Sequence, residues 1–170
     1  MGILYDLLLR VRGVAGGITT GTLIGGVIQN HRDDILKLQR EQLLCGKASS
    51  GDDIRPYYSE DLKPSGFFNS VDSAKRYAGW KSTLSYPSFS GQRNPDAPNL
   101  YINGQFHSEL GVQFSLVSVA IVPETTYAAT IVSKYGINTF GLMPSMWMRI
   151  FEQYGAYNEL KNEIKSILYV

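Results

Sequence analysis

Between Ile24 and Cys45 the apolar residues fall on one helical stripe, and that stripe constrains the fold more than any other feature. Ile24, Ile28, His31, Ile35, Leu38, Gln42 and Cys45 recur at spacings of three and four, and Val27, Leu43 and Leu44 widen the band. Arg32, Asp33, Asp34, Lys37, Arg40 and Glu41 fill the opposite face. A helix of this pattern needs a protein core on one side and water on the other. Gly46 is a C-terminal stop. The spacing predicts one long helix from Leu23 to Cys45.

The flanking segments are less regular. Ile3, Leu4, Leu7, Leu8 and Val11 have helical spacing, with Asp6, Arg10 and Arg12 on the other side. Six glycines in residues 13–26 argue against a stable autonomous helix over the first half of that stretch. Residues 46–100 are rich in Pro, Gly, Ser and Asn, with one short helix expected at 71–81. A structureless stretch this long is unusual in a compact domain and reads as a functional or partner-ordered insertion, centred on about 60–97. "LYINGQFH" reads as a tight turn at Asn103–Gly104 between extended segments, and "VQFSLVSVAIV" as a core strand. Residues 125–136 suit a strand or a short helix. Pro144 opens a C-terminal helix that Gly155 kinks or splits, with Leu160, Ile164, Ile167 and Leu168 as its stripe. The expected class is α+β: a long N-terminal helix and a C-terminal helix packed on a small antiparallel sheet, with a loop-rich insertion. Residues 1–22 form an N-terminal arm and 23–170 a single domain.

The residue types do not assemble into a reactive set. Net charge is +1, so the strong basic excess of a dedicated nucleic-acid coat is missing. Cys45 is the one cysteine, which excludes a disulfide within the chain and suits a small buried apolar role. His31 lies on the apolar stripe, where a core or interface role fits better than ligation, and His107 is the only other histidine. No H-E-x-x-H or C-x-x-C spacing occurs. Asp33–Asp34 and Asp52–Asp53 are adjacent, and neighbours on a helix diverge by about 100°. The alternating ligands and closing Glu of a calcium loop are absent. The glycine segment has no following Lys-Ser/Thr, and no serine sits in a G-x-S-x-G elbow. Neither a catalytic set, a metal site nor a cofactor is expected.

"LQREQLLCGKASSGDDIRPYYS", residues 38–59, resembles a pattern of structural proteins from tailed phages of Bacteroides-type bacteria. There a helix ending in "LQxEQL" leads to a glycine, a Ser-x-Gly turn, an Ile or Leu, and "PYYS". Gln39, Gln42, Leu43, Gly46, Ser50, Gly51, Ile54, Pro56, Tyr57, Tyr58 and Ser59 match it. "PNLYINGQFHSELGV", residues 98–112, resembles the "L-x-x-TG-x-F/L-x-x-S" element of tail-completion and neck proteins, with Asn103 in place of the usual Thr. "KYGINTFGL", residues 134–142, before a terminal helix, is the third such segment. The likeness spans about two thirds of the chain and is greatest to neck or ring proteins of crAss-like gut phages. The long 60–97 insertion and the Gly-rich arm depart from it.

The resemblance implies a virion structural protein of the head–tail connector, with no enzymatic activity. It would form a ring with its own copies between portal-side and tail-side proteins, its lumen open to DNA contact. It would reside in the virion neck, and in the host cytoplasm during assembly. Leu4, Leu7 and Leu8 on the arm, and Tyr57 and Tyr58 after Pro56, are the expected assembly residues. Pro56 fixes one dihedral and holds Arg55 extended, so the two tyrosines project in different directions. Two alternatives stand beside this. One is a small phage enzyme. The other is membrane association through residues 13–30, an uncharged run of glycine-diluted composition with Gly17, Gly21 and Gly25 four apart. The dilution and the short length argue against a span, so no membrane partner is expected.

Overall fold

In the computed structural model, Gly21 adopts φ 75°, a left-handed conformation that ends one helix and begins another. The structure describes residues 3–56, 68, 70–87, 94, 97–115, 118–126 and 128–169, and of 3–5 the backbone alone. Upstream of Gly21 is α1, Ile3–Thr19, and downstream is α2, Thr22–Asn30. The glycines of residues 13–26 therefore do not keep the segment from being helical. Helix α3 is Arg32–Leu44. The single long N-terminal helix expected over Leu23–Cys45 is thus two helices, with a break at His31. The apolar period runs unbroken through that residue, which is why the spacing concealed it.

The fold is α+β. After α3 come α4 (Val71–Ser82) and α5 (Gln105–Ser108), then strands β1 (Leu110–Phe114) and β2 (Val119–Pro123). Helix α6 (Ala128–Tyr135), a 3₁₀ turn (Ile137–Thr139), α7 (Pro144–Glu152) and α8 (Ala156–Leu168) complete it. Among the described residues the two strands form one small antiparallel sheet. The stretch expected as one core strand is instead a hairpin. The Ser115 amide donates to the Ser118 carbonyl at 2.9 Å, and the two hydroxyls meet at 2.7 Å. The Asn103–Gly104 pair does not close a hairpin either. Asn103 Oδ1 accepts from the Gln105 amide at 3.1 Å, an Asx turn that starts α5.

Other boundaries follow local chemistry. Ser70 and Ser73 form a reciprocal capping box at the start of α4, each hydroxyl accepting from the other's amide at 3.1 Å. Pro144 opens α7, and Gly155, at φ 94°, separates it from α8.

The chain divides into two compact units of discontinuous sequence. One comprises Met1–Ile35, Val112–Ala120 and Ser145–Val170; in it α1, α2 and α8 pack on one another. Its buried side chains include Val14, Val27, Ile28, Ile35 and Ile150. The other comprises Leu36–Gly111 and Ile121–Pro144, and buries Leu38, Leu43, Ile54, Phe106, Phe140 and Leu142 among others. In this second unit Ala74 and Ala78 of α4 pack against Phe68 and Tyr77.

Candidate functional site

The three segments singled out in the sequence converge within the second unit. Helix α3 presents Gln39 and Gln42, both fully buried, to the 141–143 segment. Gln42 Nε2 donates to the Gly141 carbonyl at 2.8 Å, and the Met143 amide donates to Gln42 Oε1 at 2.9 Å. The Gly141 amide donates to Gln39 Oε1 at 3.0 Å. Two glutamines on an apolar stripe thus replace a strand partner for a segment that has none. Gln42 is paired at both ends of its amide, whereas among the described residues the buried Gln39 Nε2 has no hydrogen-bond partner, a cost that its Oε1 contact offsets only in part.

Between the two glutamines, Arg40 Nε donates to the His107 carbonyl at 2.7 Å, which ties α3 to the second segment. Helix α3 then ends at Gly46, with φ 72°. A Cβ there would lie 2.5 Å from the Ala97 Cβ, so both the conformation and the close approach require glycine. The chain returns on itself through an antiparallel bridge between Lys47 and Asp53, with the Ile54 amide donating to the Gly46 carbonyl at 2.8 Å. Lys47 Nζ lies 2.7 Å from Asp53 Oδ1, and Asn94 Nδ2 donates to Oδ2 at 2.8 Å. The Lys47 hydrogen bond holds the Asp53 carboxyl below its ordinary range. The Ser49 amide donates to the Asn138 carbonyl at 2.8 Å, joining this loop to the third segment. Phe106 and Phe140 complete the convergence at 6.1 Å between ring centroids.

A polar and aromatic cluster lies in the same unit. Lys81 is buried, and its Nζ donates to the Tyr101 carbonyl; the Tyr86 hydroxyl donates to the Lys81 carbonyl. The Tyr101 ring lies 5.3 Å from that of Tyr86, tilted by 56°, and meets His107 edge-on at 5.3 Å. His107 Nε2–H donates to the Asn99 carbonyl at 2.8 Å, which fixes the neutral tautomer. Burial pushes the His107 imidazole down to about 4; the Asn99 hydrogen bond opposes this, and the charges of Arg40 and Lys81 add to it. Cys45 is buried, and burial followed by the Glu41 charge raises its thiol, so the thiolate is disfavoured.

No family model, curated protein or solved structure matches this chain. The geometry alone bears on the expected site residues. Leu7 and Leu8 are exposed on α1, at 44% and 45%. They stand with Leu9, Val11, Ile18 and Ile24, also exposed. The Leu4 side chain lies outside the described residues, as do Tyr57 and Tyr58. Among the described residues no group of three His, Cys, Asp or Glu is placed to hold a metal ion, and no single helix is long and apolar enough to cross a membrane. Sequence reasoning placed Gln42 on the stripe and Gln39 in the resemblance without a role for either, and missed Lys81 and Asn99. The signal for the glutamines was present: two amides three residues apart among apolar positions.

His107 gives a pH-dependent expectation. The unfolded imidazole takes up its proton near 6.5, the folded one only near 4. Between those values the unfolded state binds more protons, so stability rises with pH and is lost as pH falls from about 6.5 towards 4. The loss is on the order of 3 kcal/mol. Chemical unfolding at pH 7.5 and pH 4 should show that drop. In His107→Gln, which does not titrate, the drop should shrink by most of that amount. Equal pH slopes for the two proteins would contradict the assignment.

Proposed function

We propose that this chain is a structural protein of a tailed-phage neck, joining a ring of its own copies between portal-side and tail-side proteins, with no catalytic task. The observation that carries the reading is the convergence in one unit of the three segments that resemble neck proteins. Gln39 and Gln42 reach Gly141 and Met143, about a hundred residues away in sequence, and Arg40 reaches His107. The exposed leucines of α1 fit an assembly arm that finds its apolar partner on a neighbour.

A second reading has one observation in its favour. Residues Asp6–Thr19 and Thr22–Asn30, bent by 67° at their break, together have the length and composition of a broken span. That reading expects lipid in place of a neighbouring copy around α1.

The test uses the purified chain and purified connectors. Light scattering at micromolar concentration should give a monomer alone. Addition of portal complexes should recruit it into a ring that electron microscopy places in the neck. Failure to join connectors at any salt concentration would sink the neck reading.

A further inference from the structure

Of the asparagines in the chain, only Asn103 is followed by glycine. An asparagine side-chain amide is a latent electrophile, because the backbone nitrogen of the next residue can attack Cγ and close a cyclic imide. A glycine in second place leaves that nitrogen without a side chain to hinder it. In a folded protein the surrounding geometry decides whether such a pair reacts, and three requirements meet at this one. The nucleophile is unoccupied: among the described residues the Gly104 N–H has no hydrogen-bond acceptor. The electrophile is polarised: the Gln105 amide donates to Asn103 Oδ1 at 3.1 Å, the oxygen that takes up negative charge as Cγ becomes tetrahedral. The leaving group is wet: Asn103 is exposed, so water reaches Nδ2 to protonate the departing ammonia. Other asparagines lack one requirement or another. Asn94 precedes Pro95, which has no amide proton, and the amides after Asn30 and Asn138 are engaged with the Ile28 and Gly136 carbonyls at 3.1 and 3.2 Å.

We propose that Asn103–Gly104 is a self-modification site, at which the folded chain converts the Asn103 amide into aspartyl and isoaspartyl forms without an enzyme. The Gly104 nitrogen gives its proton to solvent and bonds to Asn103 Cγ. The Cγ–Nδ2 bond breaks, and the amide nitrogen leaves as ammonia with a proton from water. Water then adds to one of the two imide carbonyls and reopens the ring. Cleavage on the side-chain arm gives an aspartyl residue, and cleavage on the main-chain arm gives an isoaspartyl one. The net reaction consumes one water and releases one ammonia. The aspartyl form keeps an acceptor for the Gln105 amide and adds a negative charge at the start of α5. The isoaspartyl form also lengthens the main chain by one methylene there. That insertion lies just ahead of Phe106 and His107, both buried, and of the His107 carbonyl that Arg40 holds, so it strains the tie between α3 and α5. All of these residues lie in the second unit, and the inference does not depend on the neck reading.

The test holds the full-length chain at mildly alkaline pH and follows each asparagine by peptide mapping with mass spectrometry. An isoaspartyl-specific methyltransferase is the probe for the isoaspartyl product. Asn103 should convert before every other asparagine. It should react no more slowly in the folded chain than in chain unfolded by guanidinium, because the Gln105 hydrogen bond that polarises its Cγ belongs to the fold. In Asn103→Thr the hydroxyl can still accept from the Gln105 amide, but no imide can close. Methyl acceptance should therefore fall by about tenfold or more in that variant. Earlier conversion of another asparagine overturns the proposal. So does a slower reaction in the folded chain than in the unfolded one, or methyl acceptance that survives in Asn103→Thr.

Discussion

Gln42→Ala should lower the unfolding free energy by about 3–4 kcal/mol, a large effect for one polar residue. The side chain is fully buried and satisfies two backbone groups of a loop, the Gly141 carbonyl and the Met143 amide. Truncation leaves a donor and an acceptor without a partner, each costing about 1–3 kcal/mol, and water reaching the half-buried loop recovers part of this. Lost packing of the side-chain methylenes adds about 1 kcal/mol. Two further variants separate the contributions. Gln42→Met keeps the volume and loses both hydrogen bonds, so it should retain most of the cost. Gln42→Glu can still accept from Met143 but sets a carboxylate against the Gly141 carbonyl, so it should fall at least as far as Met. Denaturant melts with unchanged slope would measure these differences. A Gln42→Met protein as stable as the parent would show that the hydrogen bonds are not what holds the 141–143 segment.

That network also marks the boundary of what the sequence made legible. Helix termini with strong local chemistry were readable: the start at Pro144, the separation at Gly155 and the stop at Gly46 all follow from residues that act on their own backbone. The α+β class was readable from the alternation of helical and strand periods. Some of what failed depended on partners distant in sequence, and some on turns that local residues do not announce. The break at His31 is invisible in a continuous apolar period because Glu159, which meets it, lies more than a hundred residues away. The 110–123 hairpin was hidden because its turn uses serines inside an apolar run in place of Gly or Asn. At Asn103–Gly104 the Asx turn led into a helix, a choice that a two-residue signature does not encode. For the site, the sequence could mark Leu7 and Leu8 as apolar on a helix but could not say that they stay exposed. Gln39 and Gln42 carried their signal in plain view, yet their acceptor and donors are named only by the fold.

Leu7→Glu together with Leu8→Glu in the full-length chain should leave the melting temperature almost unchanged and cut recruitment to connectors by about tenfold or more. The stability half follows from exposure: both side chains face solvent in the isolated chain, so exchanging them for carboxylates removes no core contact. The assembly half follows from what they would bury. Leu7 and Leu8 are already more than half covered, so covering the rest at an interface contributes about 1–3 kcal/mol before ordering costs, and a loss of about 1.4 kcal/mol already lowers affinity tenfold. Deleting residues 1–20 should act in the same direction. It removes exposed Leu7, Leu8, Leu9, Val11 and Ile18, and of the described α1 side chains only Val14 is buried, so the remainder should still fold. The lipid reading makes the opposite forecast for the same proteins. A bent apolar pair spanning residues 6–30 would carry the full-length chain upward with liposomes in a flotation gradient, and the two added carboxylates or the deletion would leave it at the bottom. The neck reading expects all three proteins to remain at the bottom and only the parent to join connectors. Co-flotation of the parent chain would therefore reassign α1 and α2 from a neighbouring copy to a bilayer.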